Sequence, residues 1–567
     1  MTRFLRLCKI KAVILLESIG GNGPLNVISL QEPNLPSLAG RYRRQDPQVS
    51  ALFGGHPSRE EDWRQRAEWL DRESPLRADR QRVTEALKAY QAKLTVHPAA
   101  QRSLELLAQP DTLVVVGGQQ AGLFGGALLI YYKALTVIQT ARYAERLLGR
   151  PVVPVFWIAG EDHDFEEANH VHVQTADGQV GRIRIERPEG SRLAVSRTLL
   201  SPADWESAVA ELEAALPDTE FKPGVLNRLR EHTADSPTLS LAFARLIAEW
   251  FGPEGLVLLD ADDPALRAAE GPMFRELIGR NDELERALAQ GERAVTGLGL
   301  PLQAETAPGS ANLFLHHEEG RLLLHKDNGL FVDRRGHVSL AYEDMLALTE
   351  DAPDQLSTNA LTRPLMQDYL FPVLAAVLGP SELAYWGILG QAFETFGLRI
   401  PLLVPRQSFA YLEHTISKLL AKFSLTVEEA LTEWEARKAK WLSDQDQWDL
   451  HGRFQTAREQ FLALYAPVIE TVSSLQPDLA KLSQSNRDKI LEQITYLETR
   501  SVDALSKRHE ASLRQWDRIR SSLKPGGKDQ ERVYGTLHFW NKYGPDWLAA
   551  WKDVPFDVSG GFRLADG

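Results

Sequence analysis

Three carboxylates and an imidazole stand side by side in Glu161-Asp162-His163-Asp164, directly after an apolar run from Val152 to Ile158. Carboxylates this close repel one another unless a cation, an ammonium group or a metal joins them. His163 has the right chemistry for a general base, with Asp162 or Asp164 fixing its tautomer. A metal is the rival reading, because His170 and His172 follow. Two imidazoles flanking Val171 on a strand would share one face, more often a surface or core arrangement than a ligand set, and no metal is expected. Glu166 and Glu167 also fit the acidic first turn of a helix.

A second candidate lies upstream, in Gly117-Gly118-Gln119-Gln120-Ala121-Gly122-Leu123-Phe124-Gly125-Gly126, between the apolar run from Leu113 to Val116 and a helical pattern from Leu128. Backbone N–H groups at such a helix start can hold phosphate or carboxylate; the alternative is a structural tight turn. The glycine spacing is neither a Walker A loop nor the dinucleotide pattern. The adjacent amides of Gln119 and Gln120 suit ligand orientation better than packing. Arg363 and Gln367 are four apart, so a helix would place them on one face. Arg406 follows the apolar run ending at Val404. Each arginine is an anion clamp or an ordinary salt-bridge partner. Tyr385 and Trp386 read as core.

The elements that must position these groups alternate as in an α/β fold with a parallel sheet wrapped by helices. In such sheets ligands bind outside the carboxyl ends of the strands. Residues 1–25 read as an N-terminal extension, either disordered or added by an upstream start codon. Residues 26–187 form the first part of the core, mostly helical as far as Gln109, with a hairpin turning at Asp177-Gly178. A helical insertion over 188–250 precedes further core at 251–300, where a strand from Leu256 to Leu259 ends in Asp260-Ala261-Asp262-Asp263. Short turn-bounded runs over 301–345 predict a small β insertion. A last βαβ unit fills 346–407: a strand from Val373 to Leu378, a helix running to Gly397, and a strand from Leu402 to Val404. Residues 408–525 predict a helical hairpin with heptad-like seams, Phe454, Phe461, Tyr465, Val468 and Val472 against Ile490, Ile494, Leu497 and Ala504, serving as an internal seam or a dimer interface. Residues 526–567 return to the core.

At 567 residues and 43% hydrophobic composition, the chain can bury a large core. Its net charge of −13 argues against a dedicated nucleic-acid binder. Cys8 is the only cysteine, so neither an intrachain disulfide nor a cysteine zinc site is available, and the cytoplasm is the expected compartment. No window offers the ~20 apolar residues that span a bilayer.

The motifs GQQAGLFGG (118–126), PVFWIAGEDHDFEEANH (154–170), RPLMQD (363–368) and NKYGPD (541–546) resemble, in order, those of the bacillithiol biosynthesis cysteine-adding enzyme family, BshC. The resemblance runs from about Leu25 to the C-terminus. It implies a Rossmann-like core akin to nucleotidylyltransferases and class I aminoacyl-tRNA synthetases, with connecting-peptide insertions and a coiled coil that pairs two subunits. The implied activity is addition of L-cysteine to glucosaminyl-malate, the last step to bacillithiol.

Amide formation needs an activated carboxylate and a deprotonated amine, which points to ATP, with or without Mg2+. Asp162, His163 and Asp164 are the expected catalytic group. Gly118, Gln119, Gln120, Gly122, Glu161, Asn169, Arg363, Gln367 and Arg406 are the expected substrate- or nucleotide-binding residues, and Lys133 is a further candidate for the malate carboxylates. The alternative is a nucleotide- or metabolite-binding coiled-coil protein without ligase activity; a nicotinamide dehydrogenase fits worse, because the glycine spacing is wrong.

Overall fold

The computed structural model describes residues 25–30, 36–72 and 77–567. The expected N-terminal extension, Leu25 apart, lies outside them. The chain forms two compact units, one reaching to Tyr411 and including Lys528–Gly567, the other Leu412–Gly527.

The first unit is built on five parallel strands, β1 (Leu113–Gln119), β2 (Val152–Ile158), β3 (Val257–Asp260), β4 (Val373–Leu378) and β5 (Leu402–Pro405), ordered β5-β4-β1-β2-β3. Both faces are covered, which is why these strands read as unbroken apolar runs rather than alternating ones. The order reverses between β1 and β4, so the loops leaving their carboxyl ends diverge and leave a crevice.

Four helices matter for that crevice. They are α1 (Leu128–Leu148), α2 (Pro264–Gly279) after β3, α3 (Arg363–Leu370) before β4, and α4 (Pro380–Trp386) after β4. The sequence shows one apolar face on α1, yet every residue from Ile130 to Ala141 is buried. The sheet covers one side; on the other, Tyr132 meets Phe409 and Trp551, and Tyr131 meets Trp250 and Phe251, at centroid distances of 4.7–5.9 Å. The helix expected to run to Gly397 breaks after Trp386 and resumes as Gly390–Thr395. A side chain at Gly387 would sit 2.9 Å from Leu38, and one at Gly390 3.2 Å from the Leu52 carbonyl.

The expected hairpin is present as His170–Gln174 and Val180–Arg184, and the helical insertion as Pro202–Ala215, Lys222–Thr233 and Leu239–Phe251. The β insertion is a five-stranded antiparallel sheet that reaches past its expected end to recruit Leu356–Thr358. Asn26–Ser29, expected within a helical stretch, is a strand paired with Gly561–Asp566, which also pairs with Gln407–Leu412. Four residues carry too little periodicity to be read, and their partner is at the far end of the chain.

In the second unit, α5 (Leu450–Leu475) and α6 (Leu479–Arg508) form the predicted hairpin. The half-buried row on α5 is Phe454, Arg458, Phe461, Tyr465, Ile469 and Val472. Its spacing follows the 3.6-residue turn more closely than a strict heptad. Val468 and Leu497, expected in the seam, are therefore 47% and 58% exposed, and Leu505 is buried where Ala504 was expected.

The closing segment of the first unit is tied to the core by charge. Arg406 Nη1 and Nη2 donate to Glu531 Oε2 and Oε1 at 2.9 and 2.6 Å, both side chains nearly inaccessible, and the Phe409 N–H donates to the same carboxylate at 3.1 Å. This corrects the reading of Arg406 as an anion clamp: its guanidinium is already paired in both directions. Removing one partner of such a buried pair destabilises by about 3–5 kcal/mol. Arg406→Ala is therefore expected to lower the urea midpoint of the first unit by that equivalent, and an unchanged midpoint would contradict the assignment.

Candidate active site

The crevice between β1 and β4 opens on Gly118, Gln119 and Gln120, all partly exposed. Glycine is required at the end of β1, because a Cβ at Gly117 would lie 2.4 Å from Val137 Cγ2, and one at Gly118 would lie 2.8 Å from the Trp157 carbonyl. Lys133, buried on α1, donates to Gln119 Oε1 at 3.3 Å and to Glu382 Oε2 at 2.5 Å. Glu382 sits in the first turn of α4 and also accepts the Gly379 N–H at 2.8 Å. Burial alone would push its carboxyl up, but Lys133 and Arg363 bring it below the usual range. Arg363, at the start of α3, donates from Nη2 to the Tyr385 hydroxyl at 3.0 Å. Tyr385 thus contributes to the crevice rather than only to the core.

The acidic loop after β2 lies at the same carboxyl edge, on the other side of β1. The Val195 N–H donates to the Asp162 carbonyl at 2.7 Å and the Ser196 N–H to the Gly160 carbonyl at 3.0 Å, so its backbone is fixed. Glu161 is 3% exposed, and its Oε2 has no hydrogen-bond partner among the described residues. Burial raises its pKa, and Arg267, Arg321 and Arg363 oppose that rise. Asp162 Oδ2 accepts from Gln120 Nε2 at 2.6 Å, joining the two sequence motifs directly. His163 lies half-exposed with Nδ1 3.5 Å from Asp162 Oδ1, outside hydrogen-bond geometry. Burial and then Arg321 lower its pKa, which keeps the imidazole neutral near pH 7.

Other expected site residues have structural partners. Asp164 is exposed and caps the short helix Phe165–Ala168 by accepting the Glu167 N–H. Asn169 is buried and donates to the Ile185 carbonyl at 2.7 Å, fastening the hairpin. Gln367 is buried one turn into α3 from Arg363. Gly122 packs on Gly126, whose Cα would lie 2.6 Å from an added Cβ. The N–H groups of Gly125, Gly126 and Leu128 donate to Gly122, Leu123 and Tyr534 carbonyls. The helix end of the glycine loop is therefore a packed turn, which corrects its reading as an anion cradle at Gly122. His170 and His172 stand ring to ring, 5.1 Å between centroids. Among the described residues no three His, Cys, Asp or Glu converge to hold a metal, and no helix is long and apolar enough to cross a membrane.

The structure adds groups that were not among the expected site residues. Asp262 accepts from Arg197 Nε and Nη2 at 2.7 and 2.8 Å and from Ser196 Oγ at 2.6 Å. Arg267 and Glu270, both fully buried on α2, pair at 2.6 Å. Arg321 from the β insertion approaches Asp162 Oδ1 to 3.7 Å. Only the aspartates after β3 were signalled locally; the arginines come from separate elements with no shared spacing.

Asp260 is pushed up to about 8, first by burial and then by Asp262. Folding therefore takes up a proton that the unfolded chain releases near pH 4. The associated stability is full below that pH and is lost as pH rises through about 8. Asp260→Asn keeps the acceptor for the Asp262 N–H and removes the titration. Wild type should lose stability relative to this variant between pH 5 and pH 8 in urea unfolding, and parallel pH profiles would contradict the assignment.

With this geometry in place, comparisons with known proteins are specific. Residues 24–407 match the family model described as bacillithiol biosynthesis BshC, N-terminal Rossmann-like domain, and residues 409–566 match its C-terminal coiled-coil domain. A Bacillus cytotoxicus protein is 34% identical over 515 residues, covering 91% of this chain and 95% of its own length. A Bacillus cereus (strain Q1) protein is 32% identical over 536 residues, covering 94% and 99%. Both bear the name "Putative cysteine ligase BshC". A parallel Rossmann-like core followed by a helical coiled-coil unit, matched along nearly the whole chain, places this protein in the bacillithiol biosynthesis BshC family.

Proposed function

We propose that this chain is a cytoplasmic ligase that joins L-cysteine to glucosaminyl-malate through an amide bond at the expense of ATP. Family membership and the cysteine ligase relatives support the ligase role. The observation that carries the site assignment is the Gln120–Asp162 hydrogen bond, which joins the β1 amides to the acidic loop of the neighbouring strand β2, beside the reversal of strand order.

Amide formation joins the cysteine carboxyl carbon to the sugar nitrogen, with two protons leaving the ammonium nitrogen, one before attack and one after, and an oxygen leaving the carboxyl group. ATP supplies the activation that makes this oxygen a leaving group. Gly118, Gln119 and Gln120 face the crevice where phosphate or substrate would lie, with Lys133 and Arg363 as the cationic side. Mg2+ would enter with the nucleotide, because such sites hold it largely through phosphates and water. His163, neutral and half-exposed, accepts the ammonium proton, and Asp162 stabilises the resulting imidazolium. Asp164 keeps the local helix in place.

Incubating the purified protein with glucosaminyl-malate, cysteine and ATP, followed by mass spectrometry, should yield the amide product together with AMP or ADP. His163→Ala should lower turnover by about a hundredfold or more, and Asp164→Asn should leave it near normal. Near-normal turnover in a folded His163→Ala variant would remove the imidazole from the mechanism. No product under any nucleotide condition, with nucleotide still bound, would instead favour a binding module. The same reading includes a homodimer formed through α5 and α6, supported by Leu464 and Leu482, 73% and 65% exposed on the hairpin. In sedimentation, Leu464→Glu with Leu482→Glu should shift dimer to monomer; an unchanged species would rule out this surface.

A further inference from the structure

Glu161 stands out as a buried carboxylate on the acidic loop. It is almost wholly buried, yet Oε2 accepts no hydrogen bond from any described residue. A buried carboxylate oxygen without a donor is strongly unfavourable, so the position calls for a donor from outside the described residues.

Besides Arg267, two guanidiniums act on it electrostatically, Arg321, which approaches the adjacent Asp162, and Arg363. Arg321 lies on the insertion strand Gly320–Asp327, flat against the Phe314 ring at 3.9 Å. Its Nε donates to Ser357 Oγ at 3.0 Å and its Nη2 to the Thr358 carbonyl at 2.6 Å. These anchors hold the planar fork rigid. Nη1 is left 3.7 Å from Asp162 Oδ1, beyond hydrogen-bond reach. Arg363 is fixed through Nη2 on Tyr385, and its charge is felt at Glu161. Neither arginine hydrogen-bonds to Glu161. Behind them Arg267, inaccessible and paired with Glu270, favours the ionised form of Glu161 without facing a ligand.

We infer that Glu161, Arg321 and Arg363 form one recognition site for an acceptor that carries an ammonium group beside carboxylates, Glu161 receiving the ammonium and the guanidiniums the carboxylates. The inference rests on the ligase reading and names the features of the acceptor that the site selects. Two fixed cations that act on one buried anion complement an amine bearing two carboxylates, whereas a neutral-bodied aminosugar would engage neither guanidinium. The β insertion is then a specificity element, since it alone contributes Arg321 and the ring and oxygens that orient it.

Isothermal titration of the full-length protein with glucosaminyl-malate, its N-acetylated form and methyl glucosaminide tests this. Wild type should bind each of the latter two about ten- to hundredfold more weakly, the range for losing a hydrogen bond to a charged group. Arg321→Gln should reduce discrimination against methyl glucosaminide, leaving the part that Arg363 supplies, and retain that against the N-acetylated form; Glu161→Gln should lose discrimination against the N-acetylated form and retain that against methyl glucosaminide. A merely structural role would weaken all three ligands alike. Equal binding of the three ligands by wild type would overturn the inference without any variant, as would wild-type ratios in both variants or joint loss of both discriminations in either. Product formation without discrimination would sink this inference alone; discriminating binding without product would sink the ligase reading alone.

Discussion

Charge removed from water at the carboxyl edge of a parallel sheet has to be balanced, and that requirement shapes the first unit. β1 and β3 end in Gln119 and Asp260, and the segments that leave β2 and β4 carry Glu161 and Glu382 at the same edge. Lys133 is met by Glu382, Asp262 by Arg197, and Arg267 by Glu270. Each pair bridges loops or helices that leave different strands, or stiffens one helix beneath the edge. Buried pairs of this kind add less to stability than their number implies. Their effect is to hold the loops in one arrangement, within which Glu161 Oε2 is left without a donor among the described residues.

The same constraint accounts for the division between legible and illegible features. The five core strands could be read because each is an apolar run buried on both faces, and the acidic loop because three carboxylates beside an imidazole are conspicuous in one dimension. The β1 glycines were visible as a turn, but only the packing of Gly122 on Gly126 separates the part that faces the crevice from the part that closes on itself. Arg406 illustrates the limit. Its place after β5 matches that of a ligand-binding arginine, and nothing near it in sequence announces Glu531, more than a hundred residues away. Arg321 is the converse case: a residue in a short insertion strand, with no motif around it, that the fold delivers to Asp162.

The chain's last forty residues show how far the core depends on distant sequence. Glu531 neutralises Arg406, Trp551 packs on Tyr132 of the central helix, and Gly561–Asp566 joins strands from near the start and the middle of the chain. The helical unit of Leu412–Gly527 is inserted between those contacts rather than appended after them. Its hairpin keeps one half-buried row for itself and leaves a second set of apolar side chains exposed.

The central claim is that the acceptor occupies the crevice where strand order reverses. Hydrogen–deuterium exchange of the full-length protein with and without saturating glucosaminyl-malate tests it most directly. Slowed exchange is predicted over residues 117–121, 160–164 and 320–326, with the hairpin of the second unit unchanged. Protection confined to that hairpin, or binding with no protection at those three segments, would contradict it.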